Sequence, residues 1–250
     1  MNLDRVIAVR NDKTVYRDGD RCVKVFHENY SKADILNEAL NQARIEETGL
    51  PIPRVSGVTM IEGKWAIISE FIEGKTLSRL MAEEPERRDE YLKRFADLQT
   101  LVHGKICPLL TQMKDKMRRE IEQADLVATT RFALHVRLGE MPQHSRVCHG
   151  DFWPSNVIIR PDGSPCILDW SRATQGDPAV DAACTYLLFR INAEETTAAA
   201  YLAHFSAASG IPEAEIRRWI PVAAASQSVS GGGKKRDFLL SRATEKEQAE

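Results

Sequence analysis

Polar and apolar positions change their rhythm near residue 75. Ahead of it, short β-type segments surround one helical stretch; beyond it, helical spacing dominates around a single compact β patch. Val15-Tyr16-Arg17, a turn at Asp18-Gly19-Asp20 and Arg21 to Phe26 predict a hairpin, because Asp-Gly supplies the positive-φ residues of a tight turn. Ser31 to Glu47 predicts a helix. Ser31 and Asp34 form its capping pair, Leu36, Ala39, Leu40 and Ala43 its apolar stripe, and Gly49 with Pro51 its stop. Val55 to Met60 and Trp65 to Phe71 predict two more strands joined at Glu62-Gly63. Gly74 closes the β-rich portion, so the spacing puts a hinge at residues 70–76 and divides the chain into 1–73 and 74–250.

In the second portion Tyr91, Phe95, Leu98 and Val102 recur at helical spacing and predict a core-facing helix. The charged run KDKMRRE, beginning at Lys114, reads as a solvated helix face. Val157-Ile158-Ile159 and Cys166-Ile167-Leu168 flank Pro161-Asp162-Gly163 as a short hairpin. Ala179 to Ile191, Glu194 to Ala208 and Pro212 to Ser226 predict helices, Gly231-Gly232-Gly233 a flexible break, and the polar tail from Arg242 a frayed end.

Composition narrows the classes. The 250 residues are 43% hydrophobic and 28% charged, an ordinary globular balance with enough length to bury a core unaided by disulfides or structural metal. Lys and Arg total 34 against 36 for Asp and Glu, a formal net charge of -2 that removes the blanket electrostatic case for nucleic acid. No stretch approaches the roughly 20 apolar residues of a membrane span. The opening residues lack the apolar run of a signal peptide. Cys22, Cys107, Cys148, Cys166 and Cys184 contain no CxxC spacing and read as reduced structural thiols, so a cytoplasmic protein is expected.

The chemistry concentrates in Cys148-His149-Gly150-Asp151-Phe152-Trp153-Pro154-Ser155-Asn156, followed by Ile167-Leu168-Asp169-Trp170. Apolar strand residues hold both ends of a polar loop, and the hairpin returns Asp169 to the side of Asn156. An amide and a carboxylate are hard oxygen ligands that suit Mg²⁺ carrying nucleotide phosphates. The remaining carboxylate, Asp151, suits a base that accepts a proton from an attacking hydroxyl. On the first hairpin, strand alternation gives Cys22, Lys24 and Phe26 one face. An ammonium between Val23 and Val25 is costly unless it meets an anion.

His149-Gly150-Asp151 with Asn156, then Leu168-Asp169-Trp170, resembles the aminoglycoside phosphotransferase family, relatives of choline kinases within the protein-kinase-like fold. The resemblance continues through Gly176-Asp177-Pro178 and Asp181 and can be traced from about Thr14 to Tyr186. It implies an α+β, two-lobed fold: a small antiparallel β-rich N-lobe that binds nucleotide (1–73) and a mainly helical C-lobe that binds the acceptor (74–250). Asp151 would be the catalytic base, and Asn156 and Asp169 the Mg²⁺ ligands. His149 would brace the catalytic loop, with a role as base the alternative. Asp181 would receive the loop's backbone N–H groups. Asp177 reads as a helix cap or as an acceptor contact.

The same resemblance gives Lys24 the α- and β-phosphates with Glu38 as its partner, a position for which Glu46 and Glu47 compete. Ser69-Glu70-Phe71-Ile72 is similar to the hinge: the Glu70 carbonyl and Ile72 amide would pair with adenine, and Ser69 would be the gatekeeper. Backbone contacts of this kind leave GTP open beside ATP. The chain departs from the kinase pattern at Arg10-Asn11-Asp12-Lys13-Thr14, which contains no glycine, so phosphate contact there would fall to backbone N–H groups and the Thr14 hydroxyl.

The expected activity is transfer of the ATP γ-phosphate, with Mg²⁺, to a hydroxyl of an aminoglycoside, sugar or amino alcohol. The expected assembly is a monomer or homodimer with no nucleic-acid or membrane partner. A protein kinase is one rival. Only eight positions separate Asp169 from Asp177, too few to dock a peptide, and Gly150 stands where those enzymes carry Arg. A catalytically silent nucleotide binder is the other rival, favoured by the glycine-free loop. Phe152 and Trp153 either stack on an acceptor or pack beneath the loop. Glu194, Glu195, Glu213 and Glu215 either meet a polycation or face solvent.

Overall fold

The computed structural model describes residues 3, 5–10, 12–192, 194–230 and 232–245. Asn11 of the glycine-free loop, Gly231 of the glycine triplet and the tail beyond 245 lie outside the described residues. Contacts divide the chain into two compact units, Met1–Pro85 with Pro154–Arg172, and Glu86–Trp153 with Ala173–Glu250. The first unit therefore runs past residue 73, the sequence-based boundary, and takes back the segment that carries Asn156 and Asp169.

In the first unit β1 (Arg5–Val9), β2 (Lys13–Asp18) and β3 (Arg21–Phe26) precede α1 (Lys32–Glu46), and β4 (Val55–Ile61) and β5 (Lys64–Glu70) follow it. They form one five-stranded antiparallel sheet in the order β1-β2-β3-β5-β4. Asp18 pairs with Arg21, so the first hairpin turns on Gly19-Asp20 alone, with Gly19 at φ +63°. Two residues are fewer than the three-residue turn expected from the sequence. The β4–β5 hairpin turns at Glu62 (φ +48°) and Gly63 (φ +80°), as a type I′ turn requires.

Two expectations for α1 are corrected. Ser31 stands at the N-cap but its side chain makes no cap hydrogen bond. The buried face is Ile35, Glu38, Ala39, Asn41, Gln42 and Ile45, while Leu36 and Leu40 are exposed. The helix lies with Ile35 and Ala39 against Phe26 and Ile67 of the sheet. Polar partners hold that rotation: Glu38 meets Lys24, and Gln42 donates to the Pro53 carbonyl at 2.7 Å.

After the sheet come a short strand, Lys75–Thr76, and α2 (Leu77–Glu83). Lys75–Thr76 pairs with Val157–Ile159, which pairs in turn with Pro165–Ile167. This is the hairpin expected around Pro161-Asp162-Gly163, and it explains why Pro154–Arg172 belongs to the first unit.

The second unit is helical. α3 (Arg88–His103) buries Tyr91, Phe95, Leu98 and Val102 as its spacing predicts. α4 (Met113–Gln123) buries Met113, Met117 and Ile121 and exposes Asp115, Arg118 and Arg119 of its charged run, and α5 (Ala128–Gly139) follows. Strands Arg146–Cys148 and Thr174–Gly176 pair antiparallel. α6 (Pro178–Ile191) is almost wholly buried, and α7 (Glu195–Ser209) follows it. The single helix expected over 212–226 is two, α8 (Glu213–Arg218) and α9 (Ile220–Ser228), because Pro221 has no N–H to continue the ladder across Trp219. A further helix, α10 (Gly233–Ala243), begins at the last glycine of the triplet. The fold is a mixed one, an antiparallel sheet region followed by a helical region. Among the described residues no helix is long and apolar enough to cross a membrane.

Gly74 sits at φ +149°, and a Cβ built there would lie 2.3 Å from the Ile159 carbonyl oxygen. Gly74→Ala should push back the strand that follows Asn156 and destabilise the protein by roughly 1–3 kcal/mol, the scale of overpacking. Urea unfolding of the variant against wild type measures it.

Candidate functional site

The first unit gathers charge on the α1 face of its sheet. The Lys24 ammonium contacts the Glu38 carboxylate of α1 and lies 3.6 Å from Asp169 Oδ1. The Lys13 ammonium stands 3.3 Å from Asp169 Oδ2. Burial alone would lower the Lys24 pKa, but Asp169 and then Glu38 outweigh it and hold it above the ordinary lysine value. Lys24 therefore stays charged. Of the acidic residues that compete on α1, Glu46 accepts the Val55 N–H at 2.6 Å and so fixes the start of β4, while Glu47 is exposed. Glu38, 3% exposed, is the carboxylate that meets the lysine.

The short hairpin carries Asp169 to this place. Val157 is opposite Ile167, and the Leu168 N–H donates to the Asn156 carbonyl at 2.7 Å, so Asn156 and Asp169 flank one end of the ladder. Trp170 is fully buried and donates from Nε1 to the Ile167 carbonyl at 3.1 Å. Between these fixed neighbours Asp169 adopts φ +59°, a left-handed conformation uncommon outside glycine. Such backbone strain persists where surrounding structure imposes it, and functional sites are where it concentrates. The donor set of Asp169 and Asn156, a carboxylate and an amide, fits a hard divalent cation.

Of the other nucleotide candidates, Ser69 lies opposite Cys22 on the same face as Lys24, and Thr14 does not share that face. Thr14 pairs with Val25 on the opposite face of the hairpin, its hydroxyl 3.4 Å from His27 Nε2. Ser69 and Glu70 line a cavity of about 770 Å³ together with Arg21, Glu46, Arg54 and Arg160. That cavity is lined by none of Lys24, Glu38, Asn156 and Asp169. The Glu70 and Phe71 N–H groups donate to the Arg54 and Asp20 carbonyls, and Ile72 is buried.

In the second unit a buried carboxylate organises the loop that carries Asp151. Asp181, on the first turn of α6, accepts from the Gly150 N–H at 2.8 Å and the His149 N–H at 3.2 Å. It also contacts His103 Nε2 at 2.9 Å and Gln99 Nε2 at 3.3 Å. Burial would raise its pKa, but the hydrogen bond and charge of His103, then the Gly150 N–H, hold it down at about 2. Gly150 makes the turn at φ +76°. The Asp151 N–H donates to His149 Nδ1 at 3.2 Å, and His149 is fully buried. That bond engages the lone pair a base would need, so the geometry favours bracing over proton transfer by His149. Asp177 Oδ1 accepts the Ala179 N–H at 2.8 Å and caps α6.

Phe152 packs beneath the loop, stacked on Phe95 at 4.5 Å, whereas half-buried Trp153 leans on Phe189 at 4.7 Å. Among the acidic candidates for a polycation, Glu194 pairs with Arg88, Glu195 with Arg190 at 3.3 Å and Glu213 with Arg217 at 3.1 Å. The sequence reading missed Lys13, His103 and Gln99. Gln99 and His103 carried a signal: they continue the buried face of α3 at i+4 and i+8 from Phe95. His103, Cys148 and Asp181 lie close enough to share a metal ion. Asp181 is, however, already filled by donors, and burial, with Asp181 and Asp177 behind it, keeps the Cys148 thiol well above its ordinary pKa.

A family model described as the phosphotransferase enzyme family matches residues 5–218, and the chain belongs to that family. Among solved structures, an aminoglycoside-3'-phosphotransferase of type VIII is similar at 19% identity and TM-score 0.67, covering 89% of this chain and 93% of that one. Choline kinase LicA from Streptococcus pneumoniae is similar at 16% identity and TM-score 0.65, covering 96% and 93%. An aminoglycoside phosphotransferase from Streptomyces rimosus, solved with ADP and streptomycin, is similar at 20% identity and TM-score 0.64, covering 88% and 92%. At these identities the likeness is one of fold. Among curated protein sequences none matches.

Asp181→Asn should cost roughly 3 kcal/mol at neutral pH, the scale of breaking a buried charged pair. The folded pKa lies below the ordinary carboxylate value, so this stabilisation is present above about pH 4 and fades as pH falls through about 2. Urea unfolding across that range should show the gap between wild type and variant closing as the medium becomes more acid.

Proposed function

As a member of the phosphotransferase enzyme family, this chain, we propose, transfers the γ-phosphate of ATP to a hydroxyl of a small polar molecule. The observation that carries the reading is Asp169, held in a left-handed conformation beside Asn156 with the Lys24 ammonium between it and Glu38. In this reading Asn156 and Asp169 hold Mg²⁺, which when bound neutralises charge on the phosphates. Lys24 meets the α- and β-phosphates through charge-assisted contacts, and Glu38 orients it. The Glu70 carbonyl and Ile72 amide hold the adenine with Ser69 beside them, an arrangement that also accommodates GTP.

Asp151 is the base. Asp181 and His103 act through the backbone of His149 and Gly150 and are positioning residues. Short separation between Asp169 and Asp177 supports a small acceptor over a peptide. Three of the four glutamates considered for a polycation are already paired with arginine, which supports a sugar or a singly charged amino alcohol over an aminoglycoside.

ADP release measured against a panel of sugars, amino alcohols and aminoglycosides tests the reading. Asp151→Asn should keep the fold and ATP binding while turnover falls by roughly 10²- to 10⁴-fold, the usual scale for acid–base groups. Near-normal turnover in the variant would remove Asp151 from the mechanism. ATP binding without release on any acceptor would favour the silent nucleotide binder, the reading that the glycine-free loop supports.

A further inference from the structure

We propose that Lys13, rather than Thr14, is the side chain through which β2 recognises the nucleotide phosphates; the inference rests on the nucleotide reading of the same site. The register of the first hairpin carries it. With Asp18 opposite Arg21, Val15 faces Lys24, Lys13 faces Phe26 and Thr14 faces Val25. Cross-strand partners share a face and successive residues alternate. Lys13 and Lys24 therefore lie on the face that α1 covers, and Thr14 lies on the other.

The lysine does not point to water. Its side chain is 14% exposed, and its ammonium crosses to Asp169, 156 residues along the chain, at 3.3 Å from Oδ2. Lys24 approaches the other oxygen at 3.6 Å and contacts Glu38 as well. Two ammoniums and two carboxylates thus form one balanced cluster, in which Lys13 has Asp169 as its partner and Lys24 has Glu38 as well. Engagement of Asp169 by a divalent cation would leave Lys13 without that carboxylate, and a phosphate oxygen would take its place. Lysine is a flexible point charge with three donors, so it can exchange a carboxylate for a phosphate oxygen without backbone movement. The sequence around it supports the same role. Arg10 to Thr14 contains no glycine, and a strand-borne ammonium supplies attraction where a glycine loop would supply close backbone N–H groups.

Calorimetric dissociation constants for adenosine, ADP and ATP test the inference on wild type, Lys13→Met, Lys13→Gln, Lys13→Arg, Thr14→Ala and Lys24→Met. Lys13→Met should weaken ATP roughly tenfold, the lower end for a charge-assisted contact in partly exposed surroundings, and leave adenosine unchanged. Lys13→Arg should keep most of the ATP affinity, and Thr14→Ala should cost less than Lys13→Met. If Lys13→Met fails to fold, the pair Lys13→Gln and Lys13→Arg decides: loss in the first with retention in the second supports the inference. Unchanged ATP affinity in Lys13→Met and Lys13→Gln, with a loss in Lys24→Met, overturns the role of Lys13 and leaves the nucleotide site standing. A larger loss in Thr14→Ala than in Lys13→Met also overturns it. Wild type that binds no ATP takes down both readings.

Discussion

A carboxylate held between two ammoniums, Asp169 with Lys13 and Lys24, is the contact on which the first unit is arranged. Four separate pieces of chain meet there: β2, β3, the α1 helix through Glu38, and the hairpin that ends at Asp169. Burying Glu38 to 3% exposure is tolerable only with an opposite charge against it, since an unpaired buried carboxylate costs several kcal/mol. The ion pair therefore helps to choose the rotation of α1. With Glu38 inward, Ile35, Ala39 and Ile45 follow it into the core, and Leu36 and Leu40 are left in solvent. Gly74 serves the same end, because only a residue without Cβ lets Lys75–Thr76 approach the strand that follows Asn156.

The second unit uses a related device. Asp181 is wholly buried and spends its oxygens on the N–H groups of His149 and Gly150 and on the side chains of His103 and Gln99. Backbone amides satisfied by a fixed carboxylate hold the loop in one conformation, and the positive φ of Gly150 completes the turn. Asp151 needs no contact of its own with Asp181 to be positioned; its N–H on His149 Nδ1 joins it to the same framework. In each unit the residue proposed for chemistry sits on a short loop that a buried or half-buried charge restrains.

Much of this was legible in the sequence. Polar residues bracketed by apolar strand segments marked both His149-Gly150-Asp151 and Asp169, and the spacing of Tyr91, Phe95, Leu98 and Val102 marked the buried face of α3. The failures have physical causes. A three-residue turn at Asp18-Gly19-Asp20 would set Thr14 opposite Lys24; the two-residue turn shifts the register by one and sets Lys13 on that face instead. Periodicity favoured leucines for the α1 stripe because it cannot see a charge partner on a distant strand. The break between α8 and α9 needed only Pro221, which was visible, but the apolar run around it read as continuous helix. The helical spacing of α3 marked His103 and Gln99 as buried, but their role appears only once Asp181 is placed against them.

Asp169 is proposed here as part of a Mg²⁺-dependent phosphate site. Titrating ATP with and without Mg²⁺ into wild type and Asp169→Ala, with metal-free adenosine as the check on the fold, tests it most directly. Mg²⁺ should tighten ATP binding to wild type, that tightening should be lost in Asp169→Ala, and both proteins should bind adenosine alike. An equal response to Mg²⁺ in the two proteins would contradict it.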